Sequence, residues 1–141
     1  MKIYILLAII ALTLTSCVNS LPDRTPPNVT VKNVAAQTDT ITIGEDYSFS
    51  LELYIEDKRN LIQTVVINTM LKKTAGENFE AVTDELIIVD KKSYSETLEV
   101  IVPDNNFDKV GEYDLKVYIS VYDNQGNGET FVSNEIKLYK E

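Results

Sequence analysis

Five side chains carry the oxygen donors that a hard cation or polar ligand needs, and all fall in short segments rich in turn residues. They are Asp57 and Asn60, Asp90, and Asp123 and Asn127. Three carboxylates with two amides would suit Ca²⁺, which takes about 6 to 8 oxygens in irregular geometry. Asp123, Asn127 and Gly128 match the first, fifth and sixth places of a calcium loop, but Gln125 and Asn134 stand at the third and twelfth, where Asp or Asn and a glutamate belong. An EF-hand is therefore excluded. The same residue types also cap turns, because Asp and Asn accept hydrogen bonds from backbone N–H groups a few positions on. A calcium or ligand site and a set of turn caps are both open, the caps being the more usual use.

Other chemistries lack their residues. The 141-residue chain has no histidine, a single cysteine and no tryptophan. A Ser-His-Asp or Cys-His pair, an imidazole proton shuttle and a histidine-ligated zinc all require imidazole. An internal disulfide requires a second cysteine. With 22 acidic against 13 basic side chains and a formal charge of −9, the chain has no general excess of cations with which to displace counterions from nucleic acid. Paired carboxylates can cleave glycosides, but these acids lie mostly in turns and on outward strand positions, and no pattern sets two in a cleft. The expectation is a protein without catalytic activity and without a required cofactor, calcium being the one candidate.

The cysteine has its own use. Met1-Lys2 precedes an apolar run from Ile3 to Leu14, too short to cross a bilayer as a permanent helix and suited to a secretory signal. Leu14-Thr15-Ser16-Cys17 resembles the lipobox of bacterial lipoproteins, in which cleavage before the cysteine is followed by acylation of its sulfur and amino group. That resemblance implies a signal peptide over 1–16, lipidation at Cys17, and attachment to the cell envelope. Valine at position 18, in place of an aspartate resembling an inner-membrane retention signal, favours the outer membrane. Residues 17–27 contain three prolines and no periodicity, and read as the lipidated cysteine with a semi-extended tether.

The elements that must position the five candidates are strands. Tyr47, Phe49, Leu51, Leu53 and Ile55 alternate with polar or outward residues, as do Tyr113, Leu115, Val117, Ile119 and Val121, a period of two that buries one face of a strand. Shorter β-rich runs lie between and around them, and no segment shows a convincing helical period. Seven to eight short strands over residues 28–141 point to an all-β, antiparallel two-sheet sandwich without a disulfide. Gly111-Glu112-Tyr113 before a long strand resembles the tyrosine corner of immunoglobulin-like domains.

Together with the Asp57 to Asn60 loop, Val102-Pro103 and the Tyr122 to Gly128 turn, these features resemble the single immunoglobulin-like domains of small Gram-negative surface lipoproteins, many of them domains of unknown function. The resemblance implies an extracytoplasmic module that binds a protein or glycan, or adheres. The other reading is a structural accessory subunit of an outer-membrane or envelope complex. In that framework the strands are B (45–56), C (61–71), D (85–89), E (94–102), F (113–122) and G (130–139), and the second antibody cysteine is replaced by Leu115. The BC, DE and FG loops then gather the five oxygen-bearing residues at one pole. A second candidate is the outer face of the C, F and G strands, where Tyr118, Tyr122, Phe131 and Tyr139 are expected to point outward. Strand C is apolar on both sides, with Ile62, Val66 and Met70 opposite Val65, Ile67 and Leu71, so some apolar groups must face out.

Overall fold

The computed structural model describes residues 23–32, 38–73 and 77–141. They form nine strands, β1 (Asn28–Lys32), β2 (Thr38–Ile41), β3 (Tyr47–Glu56), β4 (Ile62–Lys72), β5 (Glu80–Lys91), β6 (Ser93–Val102), β7 (Gly111–Asp123), β8 (Gly128–Val132) and β9 (Ile136–Lys140), with a 3₁₀ turn at Asp104–Asn106. No helix among the described residues is long and apolar enough to cross a membrane.

Alternation builds the sandwich directly. In β3 the five odd-numbered apolar residues are buried, and in β7 so are Tyr113, Leu115, Val117, Ile119 and Val121. Two buried stripes of this kind are stable only face to face. One sheet has the order β1-β3-β6; the other has β2-β9-β7-β4-β5, with β8 also paired to β7. All ladders are antiparallel except β2 with β9, which is parallel. The order places β3 beside β6, and β4 beside β7 beside β8 and β9. These are the B–E and C–F–G neighbours of an immunoglobulin-like sandwich.

Two bulges change which residues face the core. A register shift between Ile62 and Thr64 lets Ile62 turn inward, where it is fully buried, while Val66 and Met70 stay on the outer side. The expected single G strand is broken at 133–135. Phe131 lies opposite inward Ile119, and Ile136 lies opposite inward Leu115, an odd and an even position that share a face only because the break adds a residue. Ser133 bridges the break: its N–H donates to the Val117 carbonyl and its Oγ accepts from the Val117 N–H, each at 2.9 Å. Counting β8 and β9 as one interrupted G strand makes eight, within the expected number.

The expected D strand is also moved. β5 pairs with β4 along its length and belongs to the larger sheet, so among the described residues no strand lies beyond β6 on the smaller one. A tight turn then carries the chain from β5 to β6 across the sandwich, with Asp90 at φ 52°, a left-handed conformation that aspartate tolerates better than most residues.

The tyrosine corner is present. The Tyr113 hydroxyl donates to the Lys109 carbonyl at 2.7 Å and accepts from the Lys109 N–H at 3.0 Å, and its ring meets Phe107 edge-on at 5.2 Å. Beside it, the buried Lys140 ammonium donates to Asp104 at 2.8 Å and to the Phe107 carbonyl. These contacts close the far pole of the sandwich, opposite the turns that carry the candidate oxygen donors.

Candidate functional site

At the other pole, the structure brings four of the five oxygen-bearing residues together. Asp123 ends β7 and is 1 % exposed. Its Oδ1 accepts from the N–H groups of Gln125 and Asn127, and its Oδ2 from the side-chain amides of Asn60 and Asn127, all at 2.8 Å. Asp57 Oδ1 accepts from the N–H groups of Arg59 and Asn60 at 2.9 Å. Asp90 is exposed at the neighbouring turn and stands outside this network. Backbone bonds tie the three loops into one surface: Asp57 N–H to Lys92 carbonyl at 2.8 Å, and Asn124 N–H to Leu61 carbonyl at 2.9 Å.

The hydrogen bonds at this pole are those of turn caps. Asn60 and Asn127 present amide N–H donors, not carbonyl oxygens, to Asp123, so four donors occupy the positions a cation would take. Among the described residues, no three His, Cys, Asp or Glu side chains are grouped so as to hold a metal ion. Burial pushes the Asp123 carboxyl up, but the bonds from Asn127, Gln125 and Asn60 outweigh it and hold the group below the usual carboxylate range. The residues are turn caps linked into a network. Gly126, at φ 83°, supplies the left-handed step that lets the turn close around Asp123.

One member of the pole was not signalled by sequence. Asp23, within the span read as tether, accepts from the Thr25 N–H at 3.0 Å and from Arg59 at 3.4 Å, and its carbonyl accepts from Asn127 Nδ2 at 2.8 Å. The Thr25 N–H and Arg59 hold its carboxyl below the ordinary range. Pro27 is buried. Residues 23–27 are thus fastened to the pole ahead of β1. No local pattern announces this, since it depends on Asn127, more than a hundred positions away in sequence. Cys17 and the signal segment lie outside the described residues.

The second candidate is the outer face of the larger sheet. Tyr118, Tyr122 and Tyr139 lie on it as expected; Phe131 does not, because the bulge after β8 turns it toward the core. Val132 takes its place beside Tyr118. Cross-strand pairing with β4 adds Leu86 and Ile88 of β5, next to Val66 and Thr64. Leu86 is 62 % exposed, Ile88 67 %, Val132 48 % and Tyr122 43 %. Tyr122 lies over Gly128, where an added Cβ would come within 2.6 Å of its ring.

The half of the face toward the far pole is charged. Asp114 pairs with Lys72 at 2.8 Å and Lys137 at 3.5 Å, Lys116 pairs with Glu135 at 3.6 Å, and the Lys72 and Lys116 ammoniums flank the Phe79 ring. The smaller sheet carries a shallow cavity of about 380 Å³ lined by Thr30, Lys32, Glu52, Tyr54, Ser95 and Thr97 among others, polar in character.

Strand order and corner define an immunoglobulin-like β-sandwich. Solved structures are similar to the chain at low identity. The sporulation control protein Spo0M from Bacillus subtilis matches with TM-score 0.50 and 9 % identity over 83 % of this chain and 50 % of its own. A DUF4466 family protein from Parabacteroides merdae matches with TM-score 0.51 and 8 % identity over 82 % and 46 %. Murine CRIg matches with TM-score 0.46 and 11 % identity over 81 % and 98 %. The chain thus spans half or less of the Spo0M and DUF4466 structures. No protein-family model matches the chain, and no curated protein matches its sequence.

Proposed function

We propose that the protein is a lipid-anchored, extracytoplasmic binding module without catalytic activity, held at the outer membrane through Cys17 and engaging a protein partner with the outer face of its larger sheet. The carrying observation is the exposure of Leu86 and Ile88 on the same face as Tyr122 and Val132, with Val66 and Thr64 of β4 between the two pairs. Isolated exposed apolar residues are ordinary, but a contiguous group on a flat sheet is what a partner covers. At the loop pole the Asp123 carboxylate and the Asn60 and Asn127 amides are turned on one another, so the protein partner is placed on the sheet face instead.

The test uses a photo-crosslinking residue at position 86 or 88 in the envelope of producing cells. A discrete crosslinked product that disappears in the Tyr122→Glu variant supports the face. Crosslinking indifferent to Tyr122→Glu, with equal yield from an exposed position on β3, removes it. Whether the partner is permanent decides between a binding module and an accessory subunit. Co-purification of an envelope protein at fixed stoichiometry identifies the subunit, and a monomer that binds reversibly identifies the module.

A further inference from the structure

We propose that the loop pole is a membrane-docking surface that holds anionic phospholipid headgroups; this rests on the reading that Cys17 is acylated. Six Cα-to-Cα steps separate Cys17 from Asp23, a reach of at most about 20 Å at full extension. Asp23 is fastened to the pole by Arg59 and Asn127. An acyl chain at Cys17 therefore brings this pole, and not the Tyr113 end, to the bilayer.

The pole's outward charge suits that placement. Arg24, Lys58, Arg59, Lys91 and Lys92 are all exposed there, in a chain whose formal charge is −9. Among the described residues only Arg59 of these five is ion-paired, with Asp23. Of the seven described lysines elsewhere, five, Lys72, Lys73, Lys116, Lys137 and Lys140, each pair with an acid. The pole also turns part of its negative charge inside. Asp57 and Asp123 are buried and Asp23 and Glu56 half-buried, while Asp90 of the β5–β6 hairpin and Glu129 of β8 are exposed. The outcome is a basic collar on an acidic protein, at the end where a lipid would hold it.

Such a collar need not bind tightly alone. Basic residues gain from an anionic surface only within about a Debye length, roughly 8 to 10 Å. A short tether raises the local concentration of surface to the millimolar range, so weak contacts become occupied.

The experiment uses the chain from Cys17 onward, its only thiol coupled to a maleimide phospholipid in vesicles of phosphatidylcholine, with or without phosphatidylglycerol. A water-soluble amine-acylating reagent reports each lysine by mass spectrometry. On phosphatidylglycerol vesicles, Lys58, Lys91 and Lys92 are expected to be protected about fivefold or more relative to Lys109 at the far pole, and high salt should remove the protection. Equal labelling on both vesicle types and on the free chain overturns the proposal, as does protection of Lys109 instead. Acylation in cells is read separately, from the mass of the Cys17 peptide of membrane-extracted protein. A failure of docking and a failure of anchoring are thereby told apart.

Discussion

Asp123 shows how one side chain serves as structure where its residue type suggested a ligand. It is a buried carboxylate satisfied by four N–H donors drawn from two loops. Replacement by alanine leaves those donors facing a cavity, and bonds to a charged group contribute about 1.5 to 3 kcal/mol each when lost from a buried site. Asp123→Ala is therefore expected to lower unfolding free energy by about 3 kcal/mol at pH 7, measured by urea denaturation. The folded state holds this carboxyl below its unfolded value, near 3.9. Its stabilising effect is thus complete above that value and fades as pH falls through the lower, folded one, so the deficit of the variant narrows below about pH 4. At the other end, Tyr113→Phe leaves the Lys109 carbonyl and N–H without their partner, at an expected cost of about 1 to 1.5 kcal/mol in the same assay.

At the scale of elements, phase decides function. Period-two alternation made β3 and β7 legible from sequence, because ten or more residues repeat one pattern and a slip would expose the whole core face. Phe131 and Ile62 were not legible. Each lies beyond a bulge, and one added residue inverts every orientation inferred from the neighbouring run. Tyr118 and Tyr122 lie in β7 and Tyr139 in β9, which themselves carry no added residue, and their outward direction followed from alternation. β5 was hidden for a different reason: its sequence reads as a strand, but nothing local tells which sheet a strand joins. Its place beside β4 is what exposes Leu86 and Ile88. The double variant Leu86→Asp, Ile88→Asp is expected to unfold within about 0.5 kcal/mol per substitution of the parent, as surface changes do, while losing the crosslinked partner. A large loss of stability would mean that the pair serves packing instead.

For the molecule as a whole, the two poles differ in kind. The Tyr113 pole is closed by a buried lysine and a ring pair; the other is closed by amide-to-carboxylate bonds and ringed with unpaired cations. Because Asp123 is satisfied by four protein donors and no three acids are grouped to hold a metal among the described residues, neither EDTA nor added Ca²⁺ is expected to move the melting temperature by more than about 1 °C in calorimetry, whereas a bound ion at 100 times its Kd would add about 2.7 kcal/mol. The apolar half of the larger sheet lies at the cationic end, Ile88 standing two residues before Asp90. With Cys17 acylated as proposed, a partner seated there would sit close to the bilayer, which favours another protein of the envelope over a distant soluble one.

The fastening of Asp23 also sets how the domain bears load. β1 begins at the cationic pole, where Asn28 lies opposite Glu56, so tension drawn from the cysteine would peel β1 off β3 one rung at a time, the weakest direction in which to strain a sheet. The bonds from Asp23 to Thr25, Arg59 and Asn127 stand ahead of the first rung and spread that tension into two other loops. What is read thermodynamically as a few surface hydrogen bonds would be, mechanically, a strain relief once the chain is held at Cys17 as proposed.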